Sequence, residues 1–186
     1  MDQLAEVIEG LGYTVNLWDL QILENIQDSI NQIEGGILVW EQDTSFNDYE
    51  MNTVSSFLDM NGNVIVLGKS WYENEDFLAE HFGISYMRSV EVDYITNVDS
   101  QDDFLFSEIA AISELSPVGE NSTPLFSFNL GTGNSVIRNQ SNLSGISISA
   151  GFWLEELTDQ DLRVFLEILF QDLLQSMLNA GFGNLT

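Results

Sequence analysis

Two short runs constrain the fold most: Gly36–Trp40 (Gly-Ile-Leu-Val-Trp) and Asn63–Leu67 (Asn-Val-Ile-Val-Leu). Neither alternates polar with apolar residues, so a strand built from either would be apolar on both faces. Such strands need cover on both sides, the usual situation of parallel strands flanked by helices. The connection between them has helical period, with Met51, Val54, Phe57 and Leu58 on one face and Asn47 or Asp48 as cap. The two runs are therefore expected to be adjacent and parallel.

The flanking sequence continues this alternation. Leu4, Val7, Ile8 and Leu11 have helical spacing over residues 2–11, and Gly12 stands in the usual glycine position after a helix. Residues 13–18 read as a strand, and 21–33 as a helix through Ile22, Ile26, Ile30 and Ile33. Residues 74–82 read as a helix closed by Gly83. Beyond it the texture changes. Residues 84–87, 90–95, 124–129, 135–138 and 144–150 read as short strands, with a hairpin turn at Gly131-Thr132-Gly133-Asn134. The span 99–122 reads as irregular, with a helical turn near 107–112. A last helix, about 159–178, buries Leu162, Phe165, Leu166, Leu169, Phe170, Leu173, Leu174 and Met177. The expectation is an α/β fold of three layers, α/β/α. Its sheet would be mostly parallel and flavodoxin-like, with antiparallel strands in the C-terminal half.

The length of 186 residues predicts a single domain over 1–186. Four basic residues (Lys69, Arg88, Arg138, Arg163) face thirty acidic ones, a net charge of −26. Such a surface repels nucleic acid and anionic lipid. Its acidity fits a high-salt setting, divalent-cation binding, or solubility alone. The absence of cysteine removes disulfides, thiolate metal sites and thiol nucleophiles together. No apolar run is long enough for a membrane span, and the N-terminus has no signal-peptide pattern. The Asn-x-Ser/Thr sequons at Asn121, Asn139, Asn142 and Asn184 are expected in loops or the tail, where glycosylation is feasible, although chance explains them as well.

Three segments carry a family resemblance. They are Leu11-Gly-Tyr13 through Leu17-Trp18-Asp19, Gly36–Trp40, and Phe57-Leu58 through Asn61-Gly-Asn-Val-Ile-Val-Leu-Gly68. With Ala150-Gly-Phe-Trp-Leu-Glu155 and the helix after it, they resemble class I glutamine amidotransferase-like domains of the non-catalytic kind, found in secreted and cell-surface multidomain proteins. The resemblance covers nearly the whole chain. It implies a missing first strand, because family members begin with one, and hence a chain that is part of a longer exported protein. In active relatives the turn after the Asn63–Leu67 strand carries a nucleophilic cysteine, and a later loop carries a histidine. Here those positions read Gly68-Lys69-Ser70-Trp71-Tyr72 and Gly151-Phe-Trp-Leu-Glu155-Glu156.

Ser70 is the best-placed nucleophile, but Tyr72 stands where a nucleophile elbow needs a second glycine. The one histidine, His81, lies about 15 Å further along a helix. Glu155 reads as a structural carboxylate with Arg163 as its partner. No catalytic residue, metal site or cofactor is therefore expected. Trp40, Trp71 and Trp153, with Glu41, Ser70 and Glu155, fall at strand ends and could line a ligand crevice, with core packing as the alternative for the tryptophans. The acidic clusters 73–76 and 99–103 could hold Ca²⁺ but lack EF-hand spacing. The expected function is a non-catalytic accessory or partner-binding module, extracellular or at the cell surface, serving other domains or a protein partner. The alternatives are a hydrolase near Ser70, Glu41 and Glu155, and a glycan- or Ca²⁺-binding module.

Overall fold

A computed structural model describes residues 2–15, 36–42, 44–128, 131–140 and 145–179. Among them, α1 (Asp2–Gly10) is followed by β1 (Ile37–Glu41), α2 (Asp48–Asp59) and β2 (Asn63–Leu67). A short helix, α3 (Glu75–Phe77), runs into a π-helical turn, Leu78–Phe82. Then come β3 (Ile84–Asn97), β4 (Asp103–Pro117), β5 (Ser122–Phe128), β6 (Gly133–Gln140) and β7 (Ile146–Ala150). A 3₁₀ turn at Leu154–Glu156 leads into α4 (Asp159–Asn179).

The described strands form one seven-stranded sheet in the order β1-β2-β7-β6-β4-β3-β5. β1 pairs parallel with β2, Val39 facing Ile65, and β2 pairs parallel with β7, Ile65 facing Ile148. From β7 onward every pairing is antiparallel. β5 also pairs with β6, so β6, β4, β3 and β5 close into a four-stranded barrel.

The adjacent parallel strands are present, but a mostly parallel flavodoxin-like sheet is not. The physical reason lies in the segment 84–140. Its strands are joined by short turns, which allow only antiparallel neighbours, and it has no helix to cross over a parallel sheet. The amidotransferase resemblance is overturned with the sheet. It rested on segments up to Gly68 and from Ala150 onward, and none of its motifs lay in the stretch that forms the closed barrel. The described sheet is continuous from β1 into the barrel and ends at β1. The strand expected at 13–18 and the helix at 21–33 lie largely outside the described residues, and residues 13–15 have no regular structure.

The span expected to be irregular, 99–122, contains the longest of the described strands, β4. Its buried residues Phe104, Phe106, Ala110 and Ile112 point inward, but Glu108, which the same alternation would place among them, is exposed at the register shift opposite Asp93. The Asn139 sequon is likewise not in a loop. Asn139 is buried in β6, its amide donating to the His81 carbonyl and its Oδ1 accepting from Ser122. Asn142 and Asn184 lie outside the described residues, and Asn121 is exposed in the turn before β5.

Two cores flank the parallel strands. On one face α1 and α4 cover Ile65, Leu67, Ile146 and Ile148, and this core runs on into the barrel through Phe104, Phe126 and Phe152 around Phe165. On the other, α2 and the π-helical turn cover Val64, Val66, Leu38 and Ile137. Asn47 caps α2 by accepting from the Tyr49 and Glu50 amides, and Glu50 returns a carboxylate to the Asn47 N–H.

Candidate functional site

The carboxyl ends of β1, β2 and β7 lie side by side, with Glu41 opposite Leu67 and Leu67 opposite Ala150. The segments leaving them are pressed together around Gly68. Its N–H donates to the Ala150 and Phe152 carbonyls at 3.2 and 3.1 Å. Its φ is +137°, and a Cβ there would sit 1.9 Å from the Gln42 carbonyl oxygen and 3.3 Å from the Trp153 ring. Only glycine fits this turn.

The polar groups beside Gly68 are turned on one another. The Lys69 ammonium pairs with Glu156 Oε1, and Glu156 Oε2 accepts the Trp153 N–H at 3.1 Å. Ser113 donates to the Lys69 carbonyl at 3.2 Å, and the Tyr72 hydroxyl donates to the Gly68 carbonyl at 3.1 Å. Burial holds the Tyr72 hydroxyl protonated far above the usual tyrosine range. Lys69 and Glu156 thus tie the segment after β2 to the turn after β7.

The six residues expected to line a crevice fall into two groups. Trp40 and Trp71 are buried in the core under α2, 3 % and 0 % exposed, and wall no opening. Trp40 donates its indole N–H to Gln42 at 2.9 Å and packs on Phe46, and Trp71 packs on Phe46, Tyr72 and Phe82. Glu41, Ser70, Trp153 and Glu155 lie around the strand ends. Ser70 and Glu155 are exposed; Trp153 and Glu41 are half-buried. Burial first, then the charge of Glu155, holds the Glu41 carboxyl above the usual glutamate range.

Ser70 makes no side-chain hydrogen bond to any described residue. His81 is tucked against the Phe77 ring at a centroid distance of 4.8 Å. Its carbonyl accepts from Ser147, which lies three residues before the end of β7 and so about 10 Å along the strand from that end. The expected pairing of Glu155 with Arg163 is not made: both are exposed, and Glu156 is the carboxylate that binds a base. Among the described residues no three His, Asp or Glu side chains come together as a metal site. The acidic turn 99–103 is organised by Asn97, whose Oδ1 accepts the Asp99 and Ser100 amides.

Sequence reasoning missed Lys69, Glu156, Tyr72 and Ser113 as the residues that fasten this edge. The one available signal was the spacing from Trp153 to Glu156, that of a capping carboxylate.

No protein-family model and no curated protein sequence matches the chain. Solved structures share its fold. A catalytic mutant of Gan42B, a GH42 β-galactosidase from G. stearothermophilus, superposes with a TM-score of 0.55 at 14 % identity, over 74 % of this chain and 21 % of that one. The exo-β-1,4-mannosidase Op5Man5 from Opitutaceae bacterium strain TAV5 gives 0.59 at 12 %, over 89 % and 27 %. The N-terminal domain of mmIFT52 gives 0.58 at 15 %, over 91 % of this chain and 89 % of that domain. The chain thus corresponds to 21 % and 27 % of the two glycosidase chains and to nearly all of the IFT52 domain. The likeness is one of fold, and it is to these structures and not to amidotransferase-like domains.

Proposed function

We propose that the chain is a non-catalytic accessory or partner-binding module of a larger exported or cell-surface protein. The observation that carries this reading is the strand-end edge itself. Its single base is consumed by Glu156, and Glu156 is consumed by Lys69 and the Trp153 amide. Groups used to fasten two segments to one another are not free to bind and turn over a substrate. Acyl transfer needs a nucleophile with a base in hydrogen-bond reach, and Ser70 has none among the described residues. The structural likenesses support the reading, since the same fold occurs within longer chains and as a terminal domain.

One observation favours a hydrolase as the second reading. A carboxyl whose pKa is raised next to a second carboxylate is a feature used by glycoside hydrolysis, and burial and the charge of Glu155 raise that of Glu41. Assays with 4-nitrophenyl glycosides and 4-nitrophenyl acetate separate the two. The module reading expects no turnover above buffer. Turnover lost in Glu41→Gln, Glu155→Gln or Ser70→Ala would overturn it.

A further inference from the structure

Among the described residues, the three most exposed large apolar side chains lie on the β3–β4 ribbon: Ile109 is 73 % exposed, Met87 58 % and Leu105 52 %, with Ile109 and Leu105 both on β4. Tyr94, half-buried, stands directly opposite Leu105 across the ribbon, and exposed Ala111 stands opposite Glu91. A β-bulge sets Ile109 out. Between the pairs Val92–Ala110 and Tyr94–Leu105, β4 spends residues 106–109 against the single residue Asp93. Bulges of this kind re-aim side chains at sites of contact.

The bulge is fastened from behind. Phe106 turns inward, 6 % exposed, and bridges to Leu157. Ser107 Oγ donates to the Leu157 carbonyl at 3.3 Å. The Leu105 N–H donates to Asp161 at 3.0 Å, and the Leu105 carbonyl accepts the Thr158 N–H at 3.1 Å. Ile109 and Leu105 are therefore presented on a braced ridge, and a partner would meet them already ordered.

The charge around the ridge has one sign. Glu91, Asp93, Asp103 and Glu108 are all exposed on the ribbon. Its one base, Arg88, is paired with Glu114 at 2.7 Å. A second copy of this chain, itself at −26, would be repelled.

We propose that this ridge is a docking surface for a protein segment that is apolar at its centre and rimmed by lysine or arginine. The proposal deepens the reading of the chain as a partner-binding module and rests on it. Burial of two aliphatic side chains supplies the attraction, and the carboxylate ring selects the sign of the partner.

The probe is a synthetic amphipathic Leu/Lys helix peptide, with a Leu/Glu peptide of the same length beside it, titrated at 0.15 M salt into the isotopically labelled chain. Amide shifts are followed by NMR. The expected result is shifts concentrated on residues 91–94 and 105–111 with the Leu/Lys peptide and none with Leu/Glu. Leu105→Ser with Ile109→Ser should weaken binding about tenfold or more while the melting temperature holds. That pair leaves the charge unchanged, so diffuse attraction to an acidic protein would survive it. Binding that is indifferent to the pair, shifts centred elsewhere, equal binding of both peptides, or a dimer through this ribbon in sedimentation would each overturn the proposal. Glycoside or ester turnover on the same samples would instead overturn the module reading, whatever the peptides do.

Discussion

At the scale of single residues, Gly68 and Glu41 decide how the strand-end edge is built. Gly68 combines a left-handed φ with a backbone neighbour where a side chain would begin. Gly68→Ala should therefore destabilise the fold by about 3 kcal/mol or more, read as the denaturation midpoint, because the obstacle is the Gln42 backbone, which no rotamer change relieves. Glu41 has a different signature. Its folded pKa is raised above the unfolded value by burial and by Glu155, so the folded state holds the proton more tightly. Stability then falls as pH rises from the ordinary glutamate value through the raised one, and the penalty is fully present above it. Glu41→Gln should raise the melting temperature at pH 7, and the gain should vanish below about pH 4, where both states are protonated. A gain that persists at acid pH would point to hydrogen bonding instead of charge. Residue identity told part of this in advance. The tryptophans were legible as strand-end residues with two readings, crevice wall or core packing, and Trp40 and Trp71 are core; sequence position alone does not say which face a terminal side chain takes.

At the scale of elements, what could be read depended on how local the signal was. β1 and β2 announce themselves by unbroken apolar runs, α2 by its Asn47–Glu50 capping box, and α4 by a wide apolar stripe. β4 was hidden because its bulge turns the charged Glu108 out of the inward-facing series, and barrel closure was hidden because β5–β6 and β3–β5 pairing depends on register between distant segments. The residue that joins helix and barrel is Phe165, fully buried and in ring contact with Phe104, Phe126 and Phe152. Phe165→Ala should cost about 3–5 kcal/mol in chemical denaturation. A loss under 1 kcal/mol would mean that α4 does not seal the barrel.

At the scale of the whole molecule, a net charge of −26 on 186 residues opposes compaction. Three of the four bases are engaged in ion pairs, so little local neutralisation is available. Salt screens this repulsion over about 10 Å at 0.1 M, and the melting temperature should rise from low to molar NaCl. A flat profile would indicate that bound cations already neutralise the surface. The central structural claim is that a closed antiparallel barrel adjoins three parallel strands, since that closure places both the fastened strand-end edge and the acidic ridge. Interstrand backbone contacts measured by NMR test it most directly. The account predicts antiparallel contacts at Thr96–Ser127, Ser127–Asn134 and Leu115–Asn134 together with parallel contacts between Ile65 and Ile148. Absence of the β3–β5 or β4–β6 contacts, with the remaining pairings intact, would leave an open sheet and contradict it.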